Sequence, residues 1–402
     1  MTLNDAKDGV PDPQRPKAAR KRSKLAAVIA RRIEDRIIER GWTVGQPLGH
    51  EAELAAEAGV SRWTFREAIA LLEHSGLVES RRGNGGGLFV ASPLRETVCN
   101  ALSNYIIFVR APSTELAGIL RAAERVMITR CAAGLDEATR PGLDEAVARC
   151  DNANLSEALE ASAAIRPLLI EQTGNPALSL ASGMIAATIM QASWYSTFDD
   201  AGFYARFEHI VGATRDMAKA LGAGRVQDAM TASETYVTTC EEILAASSLS
   251  GRLPSRARAA ERAYSLYPAG RAAKKSEYVA RAIREAVIDA GWPIGMDLGT
   301  QAELMERFGV GRPVLREALR SLERLGVIEI GRGASSGVRT ISPSPVELIE
   351  SARRYLRLER MTRADAQELF ASMTQEIQRA GAGRTGPEAL LPLLADIFRD
   401  AD

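Results

Sequence analysis

A chain of 402 residues with 51 Lys and Arg against 51 Asp and Glu carries no net charge, so no global field announces a polyanionic partner. Its composition, 46% hydrophobic, 25% charged and 5% aromatic, is that of an ordinary globular protein of two to four domains, rich in Ala, Leu and Arg and so in packed helices. No apolar run approaches a membrane span, no signal-type stretch opens the chain, and Cys99, Cys131, Cys150 and Cys240 form no CxxC pair, which leads us to expect core thiols in a soluble, cytoplasmic, nucleoid-associated protein.

In chain order, residues 1–23 read as a disordered basic arm, with Arg15, Lys17, Arg20, Lys21 and Arg22 and no acid after Asp12. Residues 24–93 read as one domain. A helix with Val28, Ile29, Ile33 and Ile37 on one face ends at Gly41, and a short helix from Glu51 is stopped by Gly59. A longer helix from Arg62 is stopped by Gly76, and two short apolar runs flank a Gly-rich turn containing Asn84-Gly85. Helix, helix, turn, helix, hairpin is the pattern of a winged helix-turn-helix.

Residues 94–250 have helical periodicity throughout, fitting a bundle of six or seven helices. Residues 251–275 are a basic linker with Pro254, Pro268 and Gly270. Residues 276–343 repeat the winged pattern, and 344–402 have room only for a partial helical domain. The expected fold is thus mainly α with small β wings: two winged helix-turn-helix domains flanking an all-helical, effector-type bundle.

The repeat runs at one constant offset of 250 residues. Gly41-Trp42 returns as Gly291-Trp292, Ala52-Glu53-Leu54 as Ala302-Glu303-Leu304, Gly59-Val60 as Gly309-Val310, Arg66-Glu67-Ala68 as Arg316-Glu317-Ala318, and Ser92-Pro93 as Ser342-Pro343. No gap is needed, so the segment is duplicated.

The helix beginning Ser61-Arg62-Trp63-Thr64-Phe65-Arg66 is the candidate recognition helix. Its first turn is read as presenting Ser61, Arg62 and Thr64 outward to phosphates, and Arg62 and Arg66, four apart, share a face from which a guanidinium can grip guanine O6 and N7. Taken alone, such a helix could equally be amphipathic with solvated arginines; retention of Arg312 and Arg316 in the second copy argues for function. Arg82 and Gly83, with Arg332 and Gly333, place cations and turn residues in the wings, suited to phosphates or the minor groove. The wing glycines make no phosphate-cradling loop, because no Lys-Ser/Thr follows and a strand comes next.

Gly45, Leu48, Glu51, Glu53-Leu54-Ala55, Gly59-Val60-Ser61-Arg62 and Phe65-Arg66-Glu67-Ala68 resemble the pattern of the GntR family of bacterial regulators. The resemblance implies that Ser61, Arg62, Thr64, Arg66, Arg82, Gly83, Arg312, Arg316, Arg332 and Gly333 contact operator DNA. It departs from the pattern at Ala52 and Ala302, where an operator-contacting Arg often stands, and at Gly311, which replaces the hydroxyl of Ser61. The middle bundle is similar to the FadR-type effector domain (FCD) of that family, through Glu124 and Gly174-Asn175-Pro176. Where such domains hold a divalent metal, this chain has Ser162 and Arg166, then His209, then Thr231 or Ser233, so no metal or other cofactor is expected. Arg121, Arg166 and His209 are instead candidate effector contacts, Arg166 suited to an organic acid or else to a plain salt bridge.

These readings point to a ligand-responsive DNA-binding regulator, a repressor, acting as a homodimer on double-stranded operator DNA, without a membrane and without enzymatic activity. The homodimer is inferred from the resemblance, which implies that such bundles pair, and from helix faces left unburied by the short tail. The alternatives are winged domains that bind protein rather than DNA, or a regulatory module of an enzyme system; no paired nucleophile and base supports catalysis.

Overall fold

The computed structural model describes residues 17–41, 43–74, 76–81, 86–91, 95–152, 154–194, 198–247, 275–331, 337–381 and 390–399. The chain divides into two compact units, residues 1–94 and 95–402.

The first unit opens with helix α1 (Lys17–Glu39), which starts inside the arm expected to be disordered. The correction has a local cause: after Pro16 the run Lys-Ala-Ala-Arg-Lys-Arg consists of strong helix formers. Ile29 and Ile37 are buried along α1 while Val28, expected on the same face, is exposed. Strand β1 (Pro47–Gly49), helix α2 (Glu51–Glu57), helix α3 (Arg62–His74) and the hairpin strands β2 (Val78–Arg81) and β3 (Gly87–Val90) follow. The three strands form an antiparallel sheet in the order β1-β3-β2. Phe65, Ala68, Leu72, Leu77, Val78, Leu88 and Val90 are buried in its core.

The second unit contains the bundle: α4 (Arg95–Phe108), α5 (Ser113–Cys131), α6 (Thr139–Asn152), α7 (Leu155–Thr173), α8 (Pro176–Trp194), α9 (Asp200–Gly222) and α10 (Val226–Ala246). Helix ends follow local chemistry. Asn154 and Asp199 cap α7 and α9 by accepting from the backbone N–H of Glu157 and Gly202, and Gly174 takes the left-handed conformation that ends α7. All four cysteines are free and buried; burial pushes the thiols of Cys99 and Cys131 up to about 11 and that of Cys240 to about 12. Among the described residues no helix is long and apolar enough to cross a membrane.

The second winged domain comprises α11 (Lys275–Asp289), β4 (Asp297–Gly299), α12 (Gln301–Phe308), α13 (Arg312–Arg324), β5 (Ile328–Ile330) and β6 (Val338–Thr340), with sheet order β4-β6-β5. Its strand register keeps the offset: Val78 faces Val90, and Ile328 faces Thr340. Bundle helix α4 contributes Ile107 to the core of this domain, and Phe108 meets Trp292 edge to face with ring centroids 5.7 Å apart.

The tail forms α14 (Pro345–Leu358), α15 (Arg363–Arg379) and α16 (Leu390–Phe398). It is not a separate partial domain. Leu348, Ala352, Tyr355, Leu356, Leu369, Met373, Ile377, Leu394 and Phe398 belong to the same continuous core as α4, α5 and α8. The helix faces that the sequence left open for a second copy are therefore covered within the chain. Of the expected linker 251–275, residues 251–274 lie outside the described residues and Lys275 begins α11.

Candidate nucleic-acid interface

In the first copy, α2 and α3 are joined by a turn that needs Gly59 at φ +65°, a conformation costly for a side chain with Cβ. The backbone N–H groups of Gly59 and Val60 donate to the carbonyls of Ala56 and Ala55, closing the end of α2. Gly309 at φ +60° repeats the turn, with Val310 donating to Met305. The two turns fix the start of each recognition helix, α3 and α13.

Ser61 caps α3: its Oγ accepts from the N–H of Thr64 at 3.2 Å. The two hydroxyls lie 2.9 Å apart, and Thr64 is 5% exposed. Thr64 was expected to face outward; the structure turns it into the domain, because Thr64, Ala68 and Leu72 lie on one i, i+4 line. Arg62 and Arg66 are exposed, as the sequence indicated. Arg66 Nε donates to Glu51 Oε1 of α2 at 2.6 Å, which holds the guanidinium at the edge of the helix pair. Trp63, which the sequence reading passed over as a surface residue, is 53% exposed beside Arg62 and adds an aromatic plane to the same turn.

The second copy differs in detail. Gly311 gives no side-chain cap, and Pro313 preorganises the first turn instead. Gln301 stands where Glu51 does, so that position offers Arg316 no carboxylate. Arg312, Arg316, Arg320 and Arg324 are all exposed at i, i+4 spacing, a four-cation stripe where the first copy has Arg62, Arg66, Ala70 and His74. Thr300 caps α12 in a reciprocal box with Glu303.

In the first wing, Arg81 pairs with Glu79 and lies 4.2 Å from the ring centre of Phe89. Arg82, Gly83, Arg332 and Gly333 lie outside the described residues.

The bundle holds a second polar cluster that the sequence indicated only through Arg166 and Glu124. Arg166 Nη2 and Nε donate to the two carboxylate oxygens of Glu124 at 2.8 and 3.2 Å, and Nη1 donates to Thr214 Oγ1 at 3.0 Å. Ser233 Oγ donates to Glu124 at 3.0 Å, and the guanidinium lies 3.3 Å from the ring centre of Tyr236. Burial pushes the Glu124 carboxyl up, while Arg166 and Ser233 pull it back. Arg121 is engaged separately by Glu234 at 2.8–3.1 Å, and His209 is exposed on α9, apart from that hydrogen-bonded cluster. These residues do not fit the metal site of the family resemblance: Ser162 donates to the carbonyl of Leu159, and a guanidinium fills the position next to Glu124.

Two winged helix-turn-helix motifs with exposed arginines on their recognition helices define the class of fold. Residues 25–88 and 275–338 each match the model of bacterial regulatory proteins of the gntR family. The chain is 31% identical over 131 residues to an HTH-type transcriptional regulator of Mycobacterium tuberculosis that is itself uncharacterized, covering 31% of this chain and 52% of that protein. It is 37% identical over 82 residues to the HTH-type transcriptional repressor NanR of Cronobacter sakazakii, covering 20% of this chain and 31% of that protein. Thus the chain spans about half or less of the curated relatives it matches. A solved GntR structure from Streptococcus agalactiae aligns with 54% of this chain and 98% of its own, at 19% identity and a TM-score of 0.35.

Proposed function

We propose that the chain is a sequence-specific regulator of transcription that represses by binding double-stranded operator DNA through α3 and α13, and that it is not an enzyme. The observation that carries this is the repeated pair of exposed arginines, Arg62 with Arg66 and Arg312 with Arg316, each on a recognition helix held by the same Gly turn. Repression is taken from the relative named as a repressor. Arg82, Gly83, Arg332 and Gly333 are assigned to the wings' backbone contacts on the family resemblance alone. Thr64 is assigned to the cap, not to DNA.

The bundle is assigned an effector role, with an organic acid exchanging its carboxylate for that of Glu124 on Arg166. Arg121 and His209 take no part in this narrower reading. Footprinting on genomic fragments next to the chain's own coding region tests the DNA reading. Protection is expected with the natural chain, and the part of it that α3 provides should be lost with Arg62→Ala plus Arg66→Ala; unchanged footprints would refute the assignment. Binding that ignores salt would favour the protein-interaction reading, since phosphate contacts release counterions.

A further inference from the structure

The offset that relates the winged domains continues into the helices beyond them. Tyr105 returns as Tyr355 and Arg110 as Arg360, and both arginines sit at positive φ, +51° and +57°. Burial repeats as well: Val98, Leu102, Tyr105, Ile106, Leu116, Ile119, Ala123 and Met127 are buried, and so are Leu348, Ala352, Tyr355, Leu356, Ala366, Leu369, Met373 and Ile377. Helices α14 and α15 are thus second copies of α4 and α5.

Each of these helices packs against its own copy. Helix α15 lies antiparallel on α5: Gly118 meets Ile377, Ser372 Oγ donates to the carbonyl of Ala122, and Arg130 pairs with Asp365 at 2.7 Å. Ala122 and Ser372 are equivalent positions facing one another. Equivalent residues meet in this way only where two copies are related by a two-fold axis, the hallmark of an isologous dimer interface. Helix α14 also packs on α4. The interface of a dimer is therefore built inside one chain, from a complete bundle and the first two helices of a second one.

We propose that one chain does the work of a dimer: a single copy binds one operator through both winged domains, and that operator has two half-sites of different sequence. The inference rests on the DNA reading above. Non-identity of the half-sites follows from the recognition helices. Ser61, Trp63, Thr64 and Ala70 in one head correspond to Gly311, Pro313, Val314 and Arg320 in the other, and Glu51, which clamps Arg66, corresponds to Gln301. A true homodimer repeats one reader and selects an inverted repeat; this chain carries two readers.

The test selects duplexes from a random-sequence library with the full-length chain, then measures the mass of the free chain and of its complex by light scattering. The expected complex holds one chain per duplex. Its footprint has two patches, centred about one helical turn or a multiple of it apart, that are not inverted copies of each other. Arg62→Ala with Arg66→Ala should erase one patch, and Arg312→Ala with Arg316→Ala the other. Two chains per duplex, or an inverted repeat, would overturn the proposal and leave the DNA reading standing. Failure of the natural chain to enrich any duplex would overturn both.

Discussion

Gly118 of α5 lies so close to Ile377 of α15 that a Cβ on the glycine would meet Ile377 Cγ1 at 3.0 Å and its backbone Cα and N at 3.3 Å. Backbone cannot yield as a flexible side-chain end can, so the absence of a side chain at 118 is what allows α15 to seat. Gly118→Val should therefore cost about 1–3 kcal/mol through overpacking. It should also raise protease sensitivity across 345–381 before that of the rest of the bundle. Unchanged melting and cleavage patterns would show that α15 does not need this approach.

Arg66 is expected to matter to DNA more than its exposure alone suggests, because Glu51 holds it in place. Arg66→Ala should weaken operator binding by about 1–3 kcal/mol if the guanidinium reads a base. Glu51→Gln should keep binding but relax base preference at the same position. Quantitative gel shifts against operators with single base changes separate the two outcomes. Equal losses on all sequences would reduce Arg66 to a phosphate contact.

The buried pair of Glu124 and Arg166 gives a non-additive pattern. Glu124→Gln or Arg166→Met alone leaves one uncompensated group inside the bundle and should cost about 3–5 kcal/mol. The double variant should be less destabilised than the sum of the two, by chemical denaturation. Under the effector reading, a carboxylate ligand should shift DNA affinity in the natural protein and lose that effect in Arg166→Met; simple additivity would contradict the coupling.

Asp365 supplies a pH dependence with a definite sign. Burial raises its carboxyl, but hydrogen bonds from Thr362 and Arg130 outweigh this and hold it below its ordinary value of 3.8. A depressed acid stabilises the fold above its unfolded value, and that contribution is lost as pH falls through the folded one. Asp365→Asn should therefore lower the melting temperature near pH 6, and the gap between the two proteins should close below about pH 3.8. A gap that stays constant with pH would remove the charge from the explanation.

The winged domains were legible in the sequence because their signals are local: turn glycines, apolar spacing and a repeat without gaps. The inward turn of Thr64 was legible too, since it shares an i, i+4 line with Ala68 and Leu72, but a hydroxyl beside Ser61 and Arg62 suggested a phosphate contact. The docking of the tail was not. An apolar face states that it must be covered, not by what, and the covering helix lies 250 residues away in the chain. One signal did point to it: Tyr105 with Tyr355 and Arg110 with Arg360 extend the repeat beyond Ser92 and Ser342. The partner of Arg166 was likewise hidden, because Glu124 reaches it across helices remote in sequence.

The most direct measurement is the salt dependence of binding to a duplex selected by the protein itself, for the natural chain and for a variant with Arg62, Arg66, Arg312 and Arg316 all replaced by Ala. Two reading heads on phosphate should give a steep linear fall of log affinity with log salt, and the fourfold variant should lose both the affinity and most of the slope. A flat response in the natural chain, or an unchanged one in the variant, would contradict DNA recognition through α3 and α13.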